Sequence, residues 1–106
     1  MASCEFHHFG VPTAAQHPGE TYMEGAKVYA TDPTQHPFRV EFLRFEADSP
    51  LHEWVRTRSH AAFMVPNLDE ALAGQNVIIP PFDANESLRV AFVTDGDAVL
   101  ELMESK

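Results

Sequence analysis

The chain has 106 residues, 44% of them hydrophobic and eight of them Phe, enough for one real core, because a domain of this size buries roughly two-thirds of the surface its unfolded chain exposes. Seven Lys plus Arg against sixteen Asp plus Glu leave a net charge of -9, which repels phosphate backbones and anionic lipid, so neither nucleic acid nor a membrane is expected as a partner. The one cysteine, Cys4, cannot close an internal disulfide, "MASCEFHHFG" lacks the basic start and apolar run of a secretion signal, and a reducing cytoplasm is the expected compartment.

In chain order, "FHHFGVP" reads as a strand, "AKVYATD" as a second, and "DPTQHP" as the turn into a third, "FRVEFLRFE". Between the first two, "PTAAQHPGETYMEG" has neither the period nor the caps of a helix. "EADSPLHEWVRTR", residues 46 to 58, reads as a connection. "SHAAFMV", residues 59 to 65, is short, apolar and bounded by proline, as a buried strand is, and it points His60, Ala62 and Met64 to one side. In "PNLDEALAG" Asn67 caps, Glu70 follows three residues later and Gly74 stops, which predicts a helix of about two turns. "NVIIP" then reads as a strand, "PFDANES" as a loop, "LRVAFV" as a strand, and "TDGDA" as a tight turn into the last strand, "VLELM".

The two halves echo one another. Residues 8 to 11, "HFGV", match 60 to 63, "HAAF"; residues 40 to 43, "VEFL", match 100 to 103, "LELM"; and Thr31-Asp32 precedes the first glutamate strand as Thr94-Asp95 precedes the second. The expected organisation is a single domain over 1–106, with module one at about 5–46, a connection at 47–58 and module two at about 59–104.

Glu41 and Glu101 each stand inside an apolar strand. A carboxylate there must be paired, protonated or bound to a metal, because burying it charged and alone costs several kcal/mol or more. His8 and His60 open the matching strands. If the repeat is realised in space, a pseudo-twofold axis brings His8, Glu41, His60 and Glu101 to one point. Two nitrogen and two oxygen donors suit Mn, Fe, Co, Ni or Zn, and the lack of nearby thiols argues against a structural zinc site. Four protein ligands on a six-coordinate ion leave two positions for neighbouring substrate oxygens, an arrangement that polarises a carbonyl and stabilises an enediolate or similar anion. Against this stands pairing within the protein, His to a backbone carbonyl and Glu to an Arg or to the same His. The matched order of all four favours the metal.

The repeated "HFGV … VEFL … HAAF … LELM", with "HAAFMVPNLDEALAG" and "RVAFVTDGDAVLELME", resembles the vicinal oxygen chelate superfamily, which includes glyoxalase I, bleomycin-resistance proteins and extradiol dioxygenases. The resemblance is strong from residue 59 on and partial over 6 to 46. It implies an α+β fold of two βαβββ-type modules forming an open, cup-like sheet around a metal, here with the first module shortened and lacking its helix. His8 to Glu41 spans 33 positions, against 41 from His60 to Glu101. It also implies that one divalent ion (Zn, Ni, Co, Mn or Fe) sits on His8, Glu41, His60 and Glu101, the His-Glu-His-Glu set being most similar to the glyoxalase I branch. His7 faces away from His8 by strand alternation, and the family register selects His8. In that branch a metal-bound glutamate shuttles the substrate proton, so Glu41 or Glu101 is the implied catalytic base. Nothing in the sequence reads as a glutathione-adduct site. Family members pair modules between chains, so a homodimer is expected.

The expected function is therefore a glyoxalase-like, metal-dependent enzyme of isomerase or lyase type acting on a small oxygen-bearing molecule. Two alternatives from other classes are a non-catalytic protein that sequesters a small molecule in the same cup, and a structural or regulatory homodimer. His17, His36 and His52 lie in loop-like segments and are expected to be exposed. Arg39, Arg44 and Arg89 are expected to pair with acids, and Trp54 and Phe82 to pack. Cys4 has no basic neighbour to activate it.

Overall fold

The computed structural model describes residues 3–106, which pack as two compact units: His8–Ser59, and His60–Lys106 together with the described residues up to His7. The fold is α+β, mostly sheet, with eight strands and two short α-helices among the described residues.

In the unit His8–Ser59, strand β1 (Glu5–Pro12) contributes its residues from His8 on and is followed by β2 (Thr21–Met23), β3 (Val28–Ala30) and β4 (Val40–Phe45). The strand order is β2-β3-β4-β1, with β1 parallel to β4 and the other pairs antiparallel. Asp32 accepts a hydrogen bond from Thr34 N at 2.9 Å and so starts a 3₁₀ turn at Pro33–Gln35, which leads into β4. Alternation along β4 sorts its side chains. Leu43 and Phe45 pack with Ala26, Val28 and Ala30, and Leu51 of the connection closes on the same cluster. Phe42 and Arg44 take the opposite face, and the chain between β1 and β2 lies against them. There the His17 ring stacks on Phe42 at 3.9 Å, and Glu20 holds Arg44 through two hydrogen bonds of 2.7 and 3.0 Å. This chain has no helix, as the sequence predicts.

The other unit contains β5 (His60–Met64), helix α2 (Leu68–Leu72), β6 (Asn76–Asp83), β7 (Leu88–Asp95) and β8 (Ala98–Ser105); helix α1 (Glu53–Thr57) lies in the connection of the first unit. The order is β5-β8-β7-β6, with β5 parallel to β8. This is the βαβββ module in full. Asn67 Oδ1 accepts from Glu70 N at 3.0 Å, the Glu104 carboxylate accepts from Leu68 N, and Gly74 at φ 79 ends the helix in a conformation that only glycine adopts freely. Helix α2 buries Leu68 completely against Val65, Ala91 and Leu102. The opposite face of the same strands carries Ala62, Val90 and Met103. Thus the helix of this module and the helix-free chain of the other do the same work, covering the face turned away from Glu101 or Glu41. Phe6 packs edge-on against Phe63 at 6.0 Å.

Three elements differ from expectation. β2 has no counterpart among the expected elements, since three residues are too few to show a period. β6 continues past Pro80 through Pro81 to Asp83, where a loop is expected from Pro81 on; it is an edge strand of its unit, where a missing N–H costs no ladder bond. Helix α1 stands in the connection, capped by His52 Nδ1, which accepts from Trp54 N at 3.0 Å.

Leu68→Ala removes a fully buried side chain and should lower the unfolding free energy by about 2–5 kcal/mol, against about 1 kcal/mol for the cap variant Asn67→Ala. Urea denaturation of the two variants beside wild type measures both.

Candidate metal centre

Each unit carries one histidine–glutamate pair, built in the same way. In β1 and β4 the parallel register sets Gly10 opposite Glu41, so His8, two residues earlier on the same face, leans toward the carboxylate. His8 Nε2 and Glu41 Oε1 lie 3.3 Å apart. In β5 and β8 the register sets Ala62 opposite Glu101, and His60 again stands two residues earlier. His60 Nε2 and Glu101 Oε1 lie 3.1 Å apart, within hydrogen-bond distance. The sequence repeat is therefore a repeat of strand pairing, residue for residue at the histidine and the glutamate.

The surroundings are unequal. His60 and Glu101 are both buried, and the Phe92 ring, opposite Glu101 in the β7–β8 register, meets the His60 ring edge-to-face at 5.2 Å. That contact fixes the plane of the imidazole. His8 is buried while Glu41 keeps 19% of its side chain exposed. His7 is half-buried.

Two ligand atoms bound about 2.0–2.2 Å from one ion, at tetrahedral or octahedral angles, stand roughly 3.0–3.5 Å apart. The separations of 3.3 and 3.1 Å fall in that range, which is also the range of a hydrogen-bonded or ionic contact. The donor set, imidazole nitrogen with carboxylate oxygen, belongs to the borderline divalent metals. His8, His60 and Glu101 are buried, and each is a residue type that can ligate a metal ion.

The chain matches no family model, and no curated protein matches it. Solved structures do. The crystal structure of hypothetical protein BH1468 from Bacillus halodurans C-125 is similar with a TM-score of 0.71, over 98% of this chain and 96% of that one, at 16% identity. It is a likeness of fold, and the fold is compatible with the resemblance read from the sequence. Among the described residues no helix is long and apolar enough to cross a membrane.

Other side chains fall as follows. Arg44 pairs with Glu20 and Arg89 with Asp69, as expected. Arg39 lies outside β4 with a φ of 58. His52 is exposed, but His17 and His36 are half-buried against Phe42, because the helix-free chain and the 3₁₀ turn fold back onto β4. Trp54 stacks under the Arg58 guanidinium at 3.5 Å, and Phe82 is half-buried against the Ala62 cluster. Cys4 is exposed.

The Glu20–Arg44 pair anchors the strand that bears Glu41. The hydrogen-bonded Arg44 guanidinium holds the Glu20 carboxyl below the ordinary carboxylate range, and Glu20 in turn raises Arg44. A carboxyl with a lowered folded value stabilises the fold above the ordinary glutamate range, and that contribution is lost as the pH falls through the lowered value. Glu20→Gln should therefore weaken the fold at about pH 7 and narrow the difference in stability between about pH 7 and about pH 3. Urea midpoints of wild type and variant at the two pH values check it.

Proposed function

We propose that the protein is a member of the vicinal oxygen chelate superfamily, in which His8, Glu41, His60 and Glu101 together hold one divalent ion and the chain acts as a glyoxalase-like isomerase or lyase on a small oxygen-bearing substrate. The observation that carries this reading is the identical register of the two pairs, a histidine two residues before the position opposite a glutamate in each parallel strand pair. A structural ion pair needs no second copy in matching register. A shared ion does.

When bound, the metal supplies Lewis-acid polarisation of the substrate's chelating oxygens. The protein supplies the rest. Buried His60, braced by Phe92, keeps its nitrogen at a set angle. The apolar side chains Ala62, Val90 and Met103 on the face of Glu101 exclude water from that carboxylate. Glu41 or Glu101 serves as the base, its carboxylate oxygen taking a proton from the carbon beside a polarised carbonyl and returning it to the neighbouring one. Glu41 is the more exposed of the two and so the more accessible to an incoming molecule. With this reading come a cytoplasmic location, on the lone Cys4, and a homodimer, on the family resemblance.

Reconstitution with Mn, Fe, Co, Ni or Zn, removal of excess and elemental analysis should give about one ion per chain in wild type and little in Glu101→Gln and His60→Ala. Loss of the metal should lower the melting temperature, as removal of any ligand of the native state does. A wild type that holds none of the five ions stoichiometrically sinks the proposal, and small-molecule stabilisation unaffected by chelator would then support the sequestering alternative.

A further inference from the structure

We infer that the open pocket lined by Pro12, Thr13, Leu43, Arg44, Phe45 and Arg56 receives a small oxyanion, a carboxylate or phosphate group, on the Arg56 guanidinium, Arg44 being already paired with Glu20. The pocket is open to solvent, has a volume of about 630 Å³ and lies wholly within the unit His8–Ser59. That is room for a molecule of metabolite size.

In a chain of net charge -9 a cation finds an acid easily, and Arg44, Arg89, Lys27 and Lys106 each have one, in Glu20, Asp69, Asp48 and Asp83. Arg56 is different. Its Nε–H donates to the Leu51 carbonyl at 2.9 Å, and among the described residues no carboxylate stands within ion-pair distance of it. The bond through Nε locks the guanidinium plane, while the two terminal nitrogens, the fork that matches a carboxylate or a phosphate, remain uncommitted. A half-buried guanidinium held in this way is preorganised, so little side-chain entropy is lost when an anion arrives. A second donor lies on the same wall, for Thr13 Oγ1 accepts from Ala15 N at 3.0 Å and keeps its own hydrogen for another acceptor.

Most of the strand residues in the lining share one face: Pro12 follows His8 and Gly10 on β1, and Leu43 and Phe45 follow Glu41 on β4, with Pro12 opposite Leu43 in the parallel register, while Arg44 belongs to the other face and is held by Glu20. Two residues of strand, about 7 Å, separate Glu41 from Leu43. Resting on the metal reading above, this deepens it: the substrate is a small oxyacid whose anionic end lies on Arg56 while its vicinal oxygens face Glu41. The anion site itself does not need the metal.

The test is isothermal titration of the full chain, stripped with EDTA, with succinate and separately with inorganic phosphate at low ionic strength. Wild type is compared with Arg56→Gln and Arg56→Lys. Saturable binding of at least one probe is expected in wild type, weakened about tenfold or more in Arg56→Gln, with Arg56→Lys between them because it keeps the charge and loses the fork. Whichever probe binds identifies the group as carboxylate or phosphate. No saturable binding of either probe overturns the inference, and so does equal affinity in Arg56→Gln. A melting temperature lowered in the variants with affinity unchanged would make Arg56 a tie between α1 and Leu51 only, and would overturn it too. If Arg56→Gln does not fold, Arg56→Lys decides by the same criterion. Because the metal is removed, failure of the metal proposal leaves this result untouched, and one ion per chain without anion binding would overturn this inference alone.

Discussion

Everything that follows in each unit depends on one pairing, the parallel bond between its first and last strands. Two parallel neighbours cannot be joined by a hairpin, so the chain must leave the first strand, travel across the sheet and come back before it can lay down the last. In one unit the crossing is made by α2, β6 and β7, and in the other by a helix-free segment, β2 and β3. The return fixes which residue of the last strand meets which residue of the first. A slip of one residue would turn Glu101 to the face that α2 covers, because strand side chains alternate with a period of two.

That constraint explains why carboxylates are tolerated inside apolar strands. Glu101 sits among Ala62, Val90 and Met103, where a lone charge would be expensive, yet the register delivers His60 to its oxygen. Glu41 receives His8 in the same way and is more exposed, which lowers its desolvation cost. The glutamates are therefore consequences of topology as much as of composition. The separations of the two pairs, 3.3 and 3.1 Å, are those of hydrogen-bonded or ionic contacts and also those of two ligands on one ion.

The excess of acids shapes the rest of the surface. Most of the cations that can be traced are neutralised by an acid on a neighbouring strand or turn, and the Glu20–Arg44 pair does structural work by tying the helix-free segment to β4. Arg56 escapes this because α1 turns it toward a backbone carbonyl instead of an acid. On so acidic a chain, an unneutralised guanidinium is the one kind of feature that can offset the general repulsion of anions.

Sequence alone determined the second module almost completely. Asn67, Glu70 and Gly74 bracket α2, Gly96 at φ 58 makes the two-residue turn before β8, and the alternation of "VLELM" and "HAAFM" sets Glu101 and His60 on their faces. These are local signals, carried by caps, turns and a period of two. The repeat also marked His8 with His60 and Glu41 with Glu101 as equivalent positions, since the same residues recur in the same order; that each histidine stands beside its own glutamate came from the strand register. Tertiary structure decided what no local pattern encodes. β2 has three residues and exists because β3 offers it an edge, β6 runs through two prolines because its outer side has no partner, and α1 is a single capped turn around one buried valine, Val55. His17 and Arg56 took their roles from what lies across from them, Phe42 in one case and the Leu51 carbonyl in the other. The reason is the same throughout: a side chain's direction follows from the strand or helix it sits on, but its partner comes from chain many residues away.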